Sequence, residues 1–183
     1  MEKIKIIALF GPAGAGKDYL YKKLLEEYKN DINGIVSYTT RPMREGEQDG
    51  VEYHFVSDKE FLQQVQAGNM LEWTEFRLWF YGTNLDALNP NKINIGVFNI
   101  DGIRTLLKND KIEVQPILIS TSAKTRLMRQ LQREENPDVN EIIRRYQTDA
   151  KDFLDISFQF DMVINEDWNA DVISDLAERI NLS

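Results

Sequence analysis

A glycine-rich stretch near the amino terminus has the residue types and spacing of a phosphate-binding loop. The stretch lies between an apolar run and an amphipathic segment, and it consists of Gly11, Pro12, Ala13, Gly14, Ala15, Gly16, Lys17 and Asp18. Its glycines let successive backbone N–H groups turn around an anion, while the lysine supplies a positive charge for terminal phosphates. The alternative is a turn that only joins a strand to a helix, and the strand-loop-helix context disfavours it.

Asp18 occupies the position at which such loops usually have a serine or threonine that holds magnesium. A carboxylate can coordinate Mg²⁺ directly or through water, but it also brings negative charge close to the phosphates. We therefore expect a phosphorylated ligand in the loop, with Asp18 as the candidate ligand for Mg²⁺.

Two arginines and a tyrosine surround a turn farther along the chain. Arginine side chains bind phosphate oxygens in bidentate fashion and a tyrosine hydroxyl adds a donor, so Arg41, Arg44 and Tyr53 could hold an acceptor phosphate. The alternative is that the two arginines are solvated surface charges paired with Glu45 and Glu47. Composition alone leaves that choice open.

The elements that must position these residues alternate between strand and helix patterns. Short apolar runs occur at Ile4–Phe10, Ile35–Ser37, Ile95–Ile100, Ile117–Ile119 and Met162–Ile164. Helical patterns occur at Lys17–Tyr28, Asp58–Ala67, Ala123–Arg133, Val139–Leu154 and Ala170–Ile180. This alternation predicts an α/β fold, a parallel sheet with helices on both faces. The turn-rich residues from Tyr38 to Leu88 predict a small mixed β insertion.

Length and composition narrow the class of protein. The 183 residues can bury one core, and no linker indicates a second unit. The formal net charge of -8 opposes a broad nucleic-acid or anionic-membrane surface. The absence of cysteine and the single histidine disfavour disulfides, thiolate zinc sites and a catalytic triad. No signal peptide or membrane-length apolar run is present, so we expect a cytoplasmic protein with small-molecule substrates.

The order and spacing of several motifs resemble the guanylate kinase family across nearly the whole chain. Besides the phosphate loop, the matching motifs are Ser37-Tyr-Thr-Thr-Arg-Pro-Met-Arg-Glu-Gly-Glu, Asp49-Gly-Val-Glu-Tyr-His-Phe-Val, Leu71-Glu-Trp and Tyr81-Gly-Thr. The resemblance implies a three-layer P-loop NTPase fold, an insertion that binds a nucleoside monophosphate, and a helical lid. The implied reaction is Mg²⁺-dependent phosphoryl transfer from ATP to GMP, or to dGMP, by a monomer or homodimer.

The resemblance also implies a division of the chain. Residues 1–36, 89–122 and 155–183 form the core, residues 37–88 the GMP-binding insertion, and residues 123–154 the lid with its flanking helices. The GMP-binding residues that the resemblance implies are Ser37, Arg41, Arg44, Tyr53, Glu72, Tyr81, Thr83 and Asp101. Guanine presents N1–H and its 2-amino group as adjacent donors, so one carboxylate can accept from both, whereas adenine offers no matching pair. Without the flanking motifs, Glu72 would be interpreted as a surface residue.

The lid implied by the resemblance carries catalytic arginines. With Lys17 and Arg44, the expected catalytic residues are Arg129, Arg133 and Arg145, which close over ATP and stabilise charge on the transferred phosphoryl group. The alternatives are an ordinary amphipathic helix paired with Glu134 and Glu135, or Arg144 in place of Arg145. Asn165 matches a family position near the adenine base, although a strand-end asparagine is also a common turn former.

Three departures from the family pattern concern the metal and the lid. Asp18 replaces the hydroxyl residue, Asn99 replaces the first acid of an Asp-x-Asp pair, and Glu134-Glu-Asn-Pro replaces the Gly-Thr-acid sequence of the lid. We hypothesise that Asp18 and Asn99 compensate, with the carboxylate moved across the metal. The alternative functions are a ribose 1,5-bisphosphate phosphokinase, which shares the Gly-Lys-Asp ending, and a non-catalytic protein-binding module.

Overall fold

The computed structural model describes residues 3–44, 46–76, 78–133, 135–167 and 170–182. Its strands are β1 at Ile4–Phe10, β2 at Ile32–Gly34, β3 at Tyr38–Thr39, β4 at His54–Phe55, β5 at Met70–Phe76, β6 at Trp79–Asn84, β7 at Ile93–Val97, β8 at Ile112–Ser120 and β9 at Asp161–Ile164. Its helices are α1 at Lys17–Glu27, α2 at Asp58–Gln66, α3 at Ile100–Leu106, α4 at Ala123–Gln132, α5 at Val139–Asp152 and α6 at Ala170–Arg179.

Strand β1 is apolar throughout its buried length because it lies at the centre of a parallel sheet with strand order β2-β7-β1-β8-β9. Its side chains point alternately to the two faces of that sheet. Ile7 and Leu9 pack with residues of α1 and α6, whereas Ile6 and Phe10 pack with residues of α3. The phosphate-loop residues follow β1 directly, at the carboxyl end of the central strand. This is the edge at which open α/β sheets bind ligands.

The turn-rich middle of the chain forms a second, mixed sheet with strand order β4-β3-β6-β5. Strands β3 and β4 run parallel, whereas β6 is antiparallel to both β3 and β5. Helix α2 packs on this sheet, and its Phe61 ring stacks on Phe80 with 5.4 Å between ring centroids. Ser57 and Glu60 form the predicted capping box at its start. The predicted fold class, a parallel sheet covered by helices with a mixed β insertion, is confirmed.

Two local predictions were wrong. The second strand was expected at Ile35–Ser37, but β2 covers Ile32–Gly34 because this edge strand is defined by pairing with β7 rather than by its apolar residues. The third apolar run was expected to form a strand from Ile95 to Ile100, but α3 begins at Ile100. Asn99 ends the extended segment, since its side chain caps α3 by accepting a hydrogen bond from the Gly102 amide at 2.7 Å.

The other helices begin where the sequence predicted and end one or two residues earlier. The division of the chain into core, insertion and lid is a functional assignment, and it stays a prediction. Glu45 and Glu134, which the sequence analysis named as possible partners of arginines, lie outside the described residues. No helix in the described part of the chain has the length and apolar character needed to cross a membrane.

Candidate active site

Two glycines of the loop between β1 and α1, Gly14 and Gly16, have backbone conformations that other residues rarely adopt. Gly14 has φ +79°, and a Cβ atom there would lie 2.7 Å from the carbonyl oxygen of Arg126. Gly16 has φ +94° and precedes the first residue of α1. The amide of Ala15 donates to the carbonyl of Pro12 at 3.2 Å, which closes the turn. The loop thus has the left-handed backbone positions that direct N–H groups towards an anion.

Lys17 bends back over this loop. Its Nζ atom donates to the carbonyl of Pro12 at 3.2 Å, and its side chain reaches the cleft described below. Burial lowers the pKa of Lys17, and the nearby carboxylates of Asp18 and Asp149 oppose that shift. A phosphate group at this position would favour the charged ammonium in the same way.

Asp18, the predicted metal ligand, and Asn99, its hypothesised compensating partner, have different surroundings. Asp18 is exposed in the first turn of α1, whereas the side-chain oxygen of Asn99 caps α3. Among the residues that the structure describes, no group of three or more His, Cys, Asp or Glu side chains could hold a metal ion. Mg²⁺ keeps several waters and takes one or two carboxylates together with phosphate oxygens, and the exposed carboxylate of Asp18 suits that kind of coordination. The compensation hypothesis stays a prediction.

A cleft of about 560 Å³ connects the phosphate loop with the mixed sheet. This volume lies within the range of small-molecule sites. The predicted site residues that line it are Gly11, Ala13, Lys17, Ser37, Arg44, Tyr53, Glu72, Tyr81, Asp101 and Arg145. The structure therefore brings the predicted donor and acceptor residues to one continuous cavity.

Glu72 is the buried carboxylate of this cleft. Only 5% of the residue is exposed, and burial raises its pKa to about 7 against the opposing effect of hydrogen bonds from Thr83. Thr83 pairs with Glu72 across strands β5 and β6 and is fully buried, and its hydroxyl lies 3.2 Å from that of Ser37. A Cβ atom at Gly102 would lie 2.9 Å from Glu72 Oε2, so glycine leaves space for the carboxylate beside α3. Asp101, by contrast, is exposed and pairs with Arg104 at 2.9 Å.

The two arginines of the predicted acceptor site have different environments. Arg41 is 5% exposed and forms a bidentate ion pair with Glu47, with both N–O distances at 2.9 Å. The predicted alternative partner is thus present, although the pair is buried rather than solvated. Arg44 is exposed and lines the cleft with Tyr53 and Tyr81. Although the residue as a whole is exposed, desolvation of its guanidinium and the neighbouring cations Arg41 and Arg145 lower the pKa of Arg44, and a bound anion would relieve the repulsion between these cations.

The described part of the predicted lid places its three arginines at three different locations. Arg129 lies beneath the phosphate loop, where its Nη2 atom donates to the carbonyls of Asn165 and Glu166 at 3.0 and 2.8 Å. Arg133 is exposed at the end of α4. Arg145 lines the cleft and donates to Glu141 at 2.9 Å. Arg144 also binds Glu141, but it is absent from the residues that line the cleft.

Asn165 is fully buried at the carboxyl end of β9. Its side-chain amide donates to the carbonyl of Ala15 at 2.8 Å, and its backbone carbonyl accepts from Thr121 and Arg129. In this position Asn165 supports the phosphate loop from below. Contact with an adenine base would require a change in its surroundings.

Sequence reasoning missed two charged residues at the loop. Asp149 on α5 accepts a hydrogen bond from the amide of Ala13 at 2.7 Å, and it lies 3.6 Å from Arg126 on α4. Helical spacing could have found both. Arg126 precedes Arg129 by three positions, and Asp149 follows Arg145 by four, so each shares a helix face with a predicted residue.

The comparisons with known proteins agree with this geometry. The sequence profile described as guanylate kinase matches residues 3–182. The guanylate kinase of Helicobacter hepaticus is 36% identical over 172 residues, which cover 91% of this chain and 85% of that protein. The guanylate kinase of Homo sapiens is 30% identical over 183 residues, which cover 96% of this chain and 91% of that protein. The crystal structure of guanylate kinase from Anaplasma phagocytophilum has a similar fold, with a TM-score of 0.68 at 23% identity over 99% of this chain and 85% of that one. The chain belongs to the guanylate kinase family.

Proposed function

We propose that this chain transfers the γ-phosphoryl group of ATP to GMP and releases ADP and GDP. The observation that carries the proposal is that Lys17 of the phosphate loop and the buried carboxylate of Glu72 line the same cleft. A triphosphate bound at one end and a purine bound at the other would bring their phosphates together between the two. Membership of the guanylate kinase family agrees with this reaction.

Glu72 supplies specificity for guanine. In its ionised form it accepts hydrogen bonds from N1–H and the 2-amino group of the base, while Ser37 or Thr83 donates to O6. Adenine lacks the matching donors and would leave a buried carboxylate unpaired. Such an unpaired buried group costs on the order of 1–3 kcal/mol and more when it is charged.

Arg44, Tyr53 and Tyr81 hold the acceptor phosphate. The three side chains line the cleft together, and the lowered pKa of Arg44 reflects both burial and neighbouring positive charge. Arg41, which its ion pair with Glu47 holds in place, supports these three side chains. Asp101 completes the guanine end of the site. The acceptor phosphate thereby points towards the phosphate loop.

Transfer requires alignment rather than a general base, because the phosphate of GMP is already an anion near neutral pH. One of its oxygens forms a bond to the γ-phosphorus while the bond to the β–γ bridging oxygen breaks, and that oxygen leaves with ADP. Lys17, Arg44 and Arg145 stabilise the charge that spreads over the moving group. Arg129 and Arg133 take part when the lid closes and water is excluded.

Mg²⁺, held by Asp18 and by the phosphates of ATP, would neutralise charge on the β- and γ-phosphates. Asp18 is exposed at the start of α1 and can reach solvent-borne Mg²⁺. The variant Asp18→Ser restores the hydroxyl that phosphate loops usually carry. We expect it to change the Mg²⁺ concentration needed for half-maximal turnover, and an unchanged requirement would remove Asp18 from the metal site.

The function is tested by transfer of labelled phosphate from ATP to a panel of GMP, dGMP, AMP and ribose 1,5-bisphosphate. Transfer to GMP, with or without dGMP, is the expected result. Transfer to ribose 1,5-bisphosphate alone would identify the chain as a sugar-phosphate kinase, and transfer to none would favour a binding module. Either of these outcomes would contradict the proposal.

A further inference from the structure

A carboxylate of the chain itself occupies part of the phosphate loop. Asp149 projects from α5, and its Oδ2 atom accepts a hydrogen bond from the backbone amide of Ala13 at 2.7 Å. Ala13 lies in the middle of the Gly11–Asp18 loop, whose N–H groups are the donors that cradle phosphate oxygens. Asp149 also lines the cleft beside Lys17. The contact joins residues 136 positions apart, so it depends on how α5 packs against the loop.

Two partly buried cations lie near this carboxylate. Arg126 Nη1 lies 3.6 Å from Asp149 Oδ2, and the two side chains are only 12% and 19% exposed. Lys17 is close enough for the charges of Asp149 and Arg126 to shift its pKa in opposite directions. Since an unpaired buried charge is costly, a carboxylate here compensates two positive groups that would otherwise repel one another.

Arg126 retains donors that Asp149 does not use. Its Nε and Nη1 atoms are buried and have no hydrogen-bond partner within the described ranges, since 3.6 Å is too long for a hydrogen bond. The guanidinium is held in place by the Tyr146 ring, whose centroid lies 4.8 Å from its central carbon. Buried donors beside a phosphate loop are suited to an additional phosphate oxygen.

We propose that Asp149 is a displaceable internal anion: it takes the place of a phosphate oxygen at the Ala13 amide, and ATP must expel it, which leaves Arg126 to pair with the phosphates. This inference rests on the proposed function, because it assumes that the donor nucleotide binds the loop. Both negative groups cannot share the amide, since like charges within hydrogen-bonding distance repel strongly at a partly buried site.

The inference is tested by calorimetric titration of pyrophosphate, and separately of ATP with Mg²⁺, into wild type, Asp149→Asn and Asp152→Asn. Pyrophosphate reports on the phosphate loop without any contribution from a base. The variant Asp149→Asn is isosteric but removes the competing charge. It should bind both ligands about tenfold more tightly, as expected for loss of a charge-assisted hydrogen bond in the free state. Asp152→Asn removes the same charge from the same helix, and it should leave both affinities close to those of wild type.

A purely structural role for Asp149 predicts the opposite change in ligand affinity. If the carboxylate only supports the loop, Asp149→Asn should bind both ligands more weakly, and that result would overturn the inference. An equal gain in affinity in Asp152→Asn would also overturn it, because the gain would then come from the loss of any negative charge on α5 rather than from Asp149. If wild type binds both ligands and neither variant binds them more tightly, the inference is contradicted but the proposed donor site is not. If folded wild type binds neither pyrophosphate nor ATP, the proposed donor site is contradicted as well.

The affinity for GMP serves as the check on folding, since Asp149 does not contact the guanine end of the cleft. Should Asp149→Asn fail to fold, a crystal structure of the wild-type chain with pyrophosphate decides the matter. The inference predicts that the carboxylate of Asp149 has left the Ala13 amide and that Arg126 contacts a phosphate oxygen. A retained hydrogen bond between Asp149 and Ala13 in that complex would refute it.

Discussion

Glu72 determines how the site responds to pH. Burial raises its pKa to about 7, so the carboxyl is half protonated near neutrality in the free protein. The proposed contact with guanine needs the ionised form, because a protonated carboxyl has lost part of its accepting capacity. GMP binding should therefore weaken as the pH falls through 7, and it should release a fraction of a proton at that pH.

We expect the association constant for GMP to fall about tenfold between pH 8 and pH 6 through protonation of Glu72. Calorimetry in two buffers of different ionisation enthalpy measures both the affinity and the proton release. The variant Glu72→Gln, titrated at millimolar GMP, measures the pH dependence of affinity that comes from ionisation of the GMP phosphate itself. A wild-type pH dependence no steeper than that of the variant would show that Glu72 does not contact the base.

A different role is proposed for Lys17, which belongs to the phosphate loop at the proposed donor end of the cleft. Its removal should lower the rate of phosphoryl transfer by about 10³-fold, in the range found when one stabilising group is lost from a transition state. The affinity for GMP should stay close to that of wild type. Steady-state turnover and a GMP titration on Lys17→Ala measure both quantities.

The matched control is Lys23→Ala, which removes a partly exposed lysine on the same helix that pairs with Glu26. This variant should keep wild-type turnover. Near-normal turnover in Lys17→Ala would contradict the assignment of that lysine, and loss of GMP binding would place it at the wrong end of the cleft.

At the scale of elements, the phosphate loop depends on α4 and β9 for its shape. Arg129 contributes hydrogen bonds to carbonyls at the end of β9, and its Nη1 atom lies 3.4 Å from the carbonyls of Gly14 and Ala15 in the loop. Asn165 donates to Ala15 from the same side. Arginine and asparagine thus satisfy carbonyl groups that the tight loop cannot pair by itself.

Arg129→Ala should therefore lower the free energy of unfolding by about 2 kcal/mol, since it removes the hydrogen bonds that this guanidinium donates to carbonyls of the phosphate loop and of the end of β9. Denaturant unfolding measures this loss directly. Arg133→Ala, one turn farther along and exposed, should change stability by less than about 0.5 kcal/mol. Equal stability of the two variants would contradict the supporting role of Arg129 and would leave it only the lid role that the family resemblance implies.

The elements also show what a sequence pattern can predict. The phosphate loop was predictable because Gly11–Asp18 combines local backbone requirements with its place between a strand and a helix. Glu72 could be singled out only through the flanking motifs, because one carboxylate next to Trp73 has no local signal. Helical spacing places Asp149 on the same face as Arg145, but its contact with Ala13 could not be predicted, because that contact arises from the packing of α5 on a distant loop.

Helix α3 and strand β2 were mispredicted for a related reason. Helix α3 is short and has Gly102 in its interior, so it has neither the propensity nor the periodicity of the longer helices. Its cap at Asn99 was the available signal. Strand β2 is an edge strand whose extent depends on pairing with β7, and its own sequence does not contain that information.

At the scale of the whole molecule, transfer requires that two parts of the cleft approach each other. Arg44 belongs to the insertion and Arg145 to α5, and their mutual repulsion contributes to the lowered pKa of Arg44. Phosphates placed between them would turn this repulsion into attraction on both sides. We therefore expect the cleft to narrow only when donor and acceptor phosphates are both present.

Small-angle X-ray scattering tests this closure. GMP together with a non-hydrolysable ATP analogue should reduce the radius of gyration below that of the free protein, because closing motions of this kind sequester the reactants from water. Arg145→Ala should show a smaller reduction at saturating ligands. An unchanged radius in wild type with both sites occupied would contradict obligatory closure.

The central claim is that Glu72 binds guanine in a cleft whose other end binds ATP, and calorimetric titration of GMP and ATP at pH 8 tests it most directly. The titrations compare wild type, Glu72→Gln and Glu75→Gln, a neighbouring carboxylate of the same strand that also lines the cleft. We predict that Glu72→Gln loses about 10²-fold or more in GMP affinity, as expected when a site opposes the hydrogen-bonding pattern of its ligand. Its ATP affinity should be unchanged, and Glu75→Gln should bind both nucleotides as wild type does. No measurable binding of GMP by folded wild type, or an equal loss of both nucleotides in Glu72→Gln, would contradict the claim.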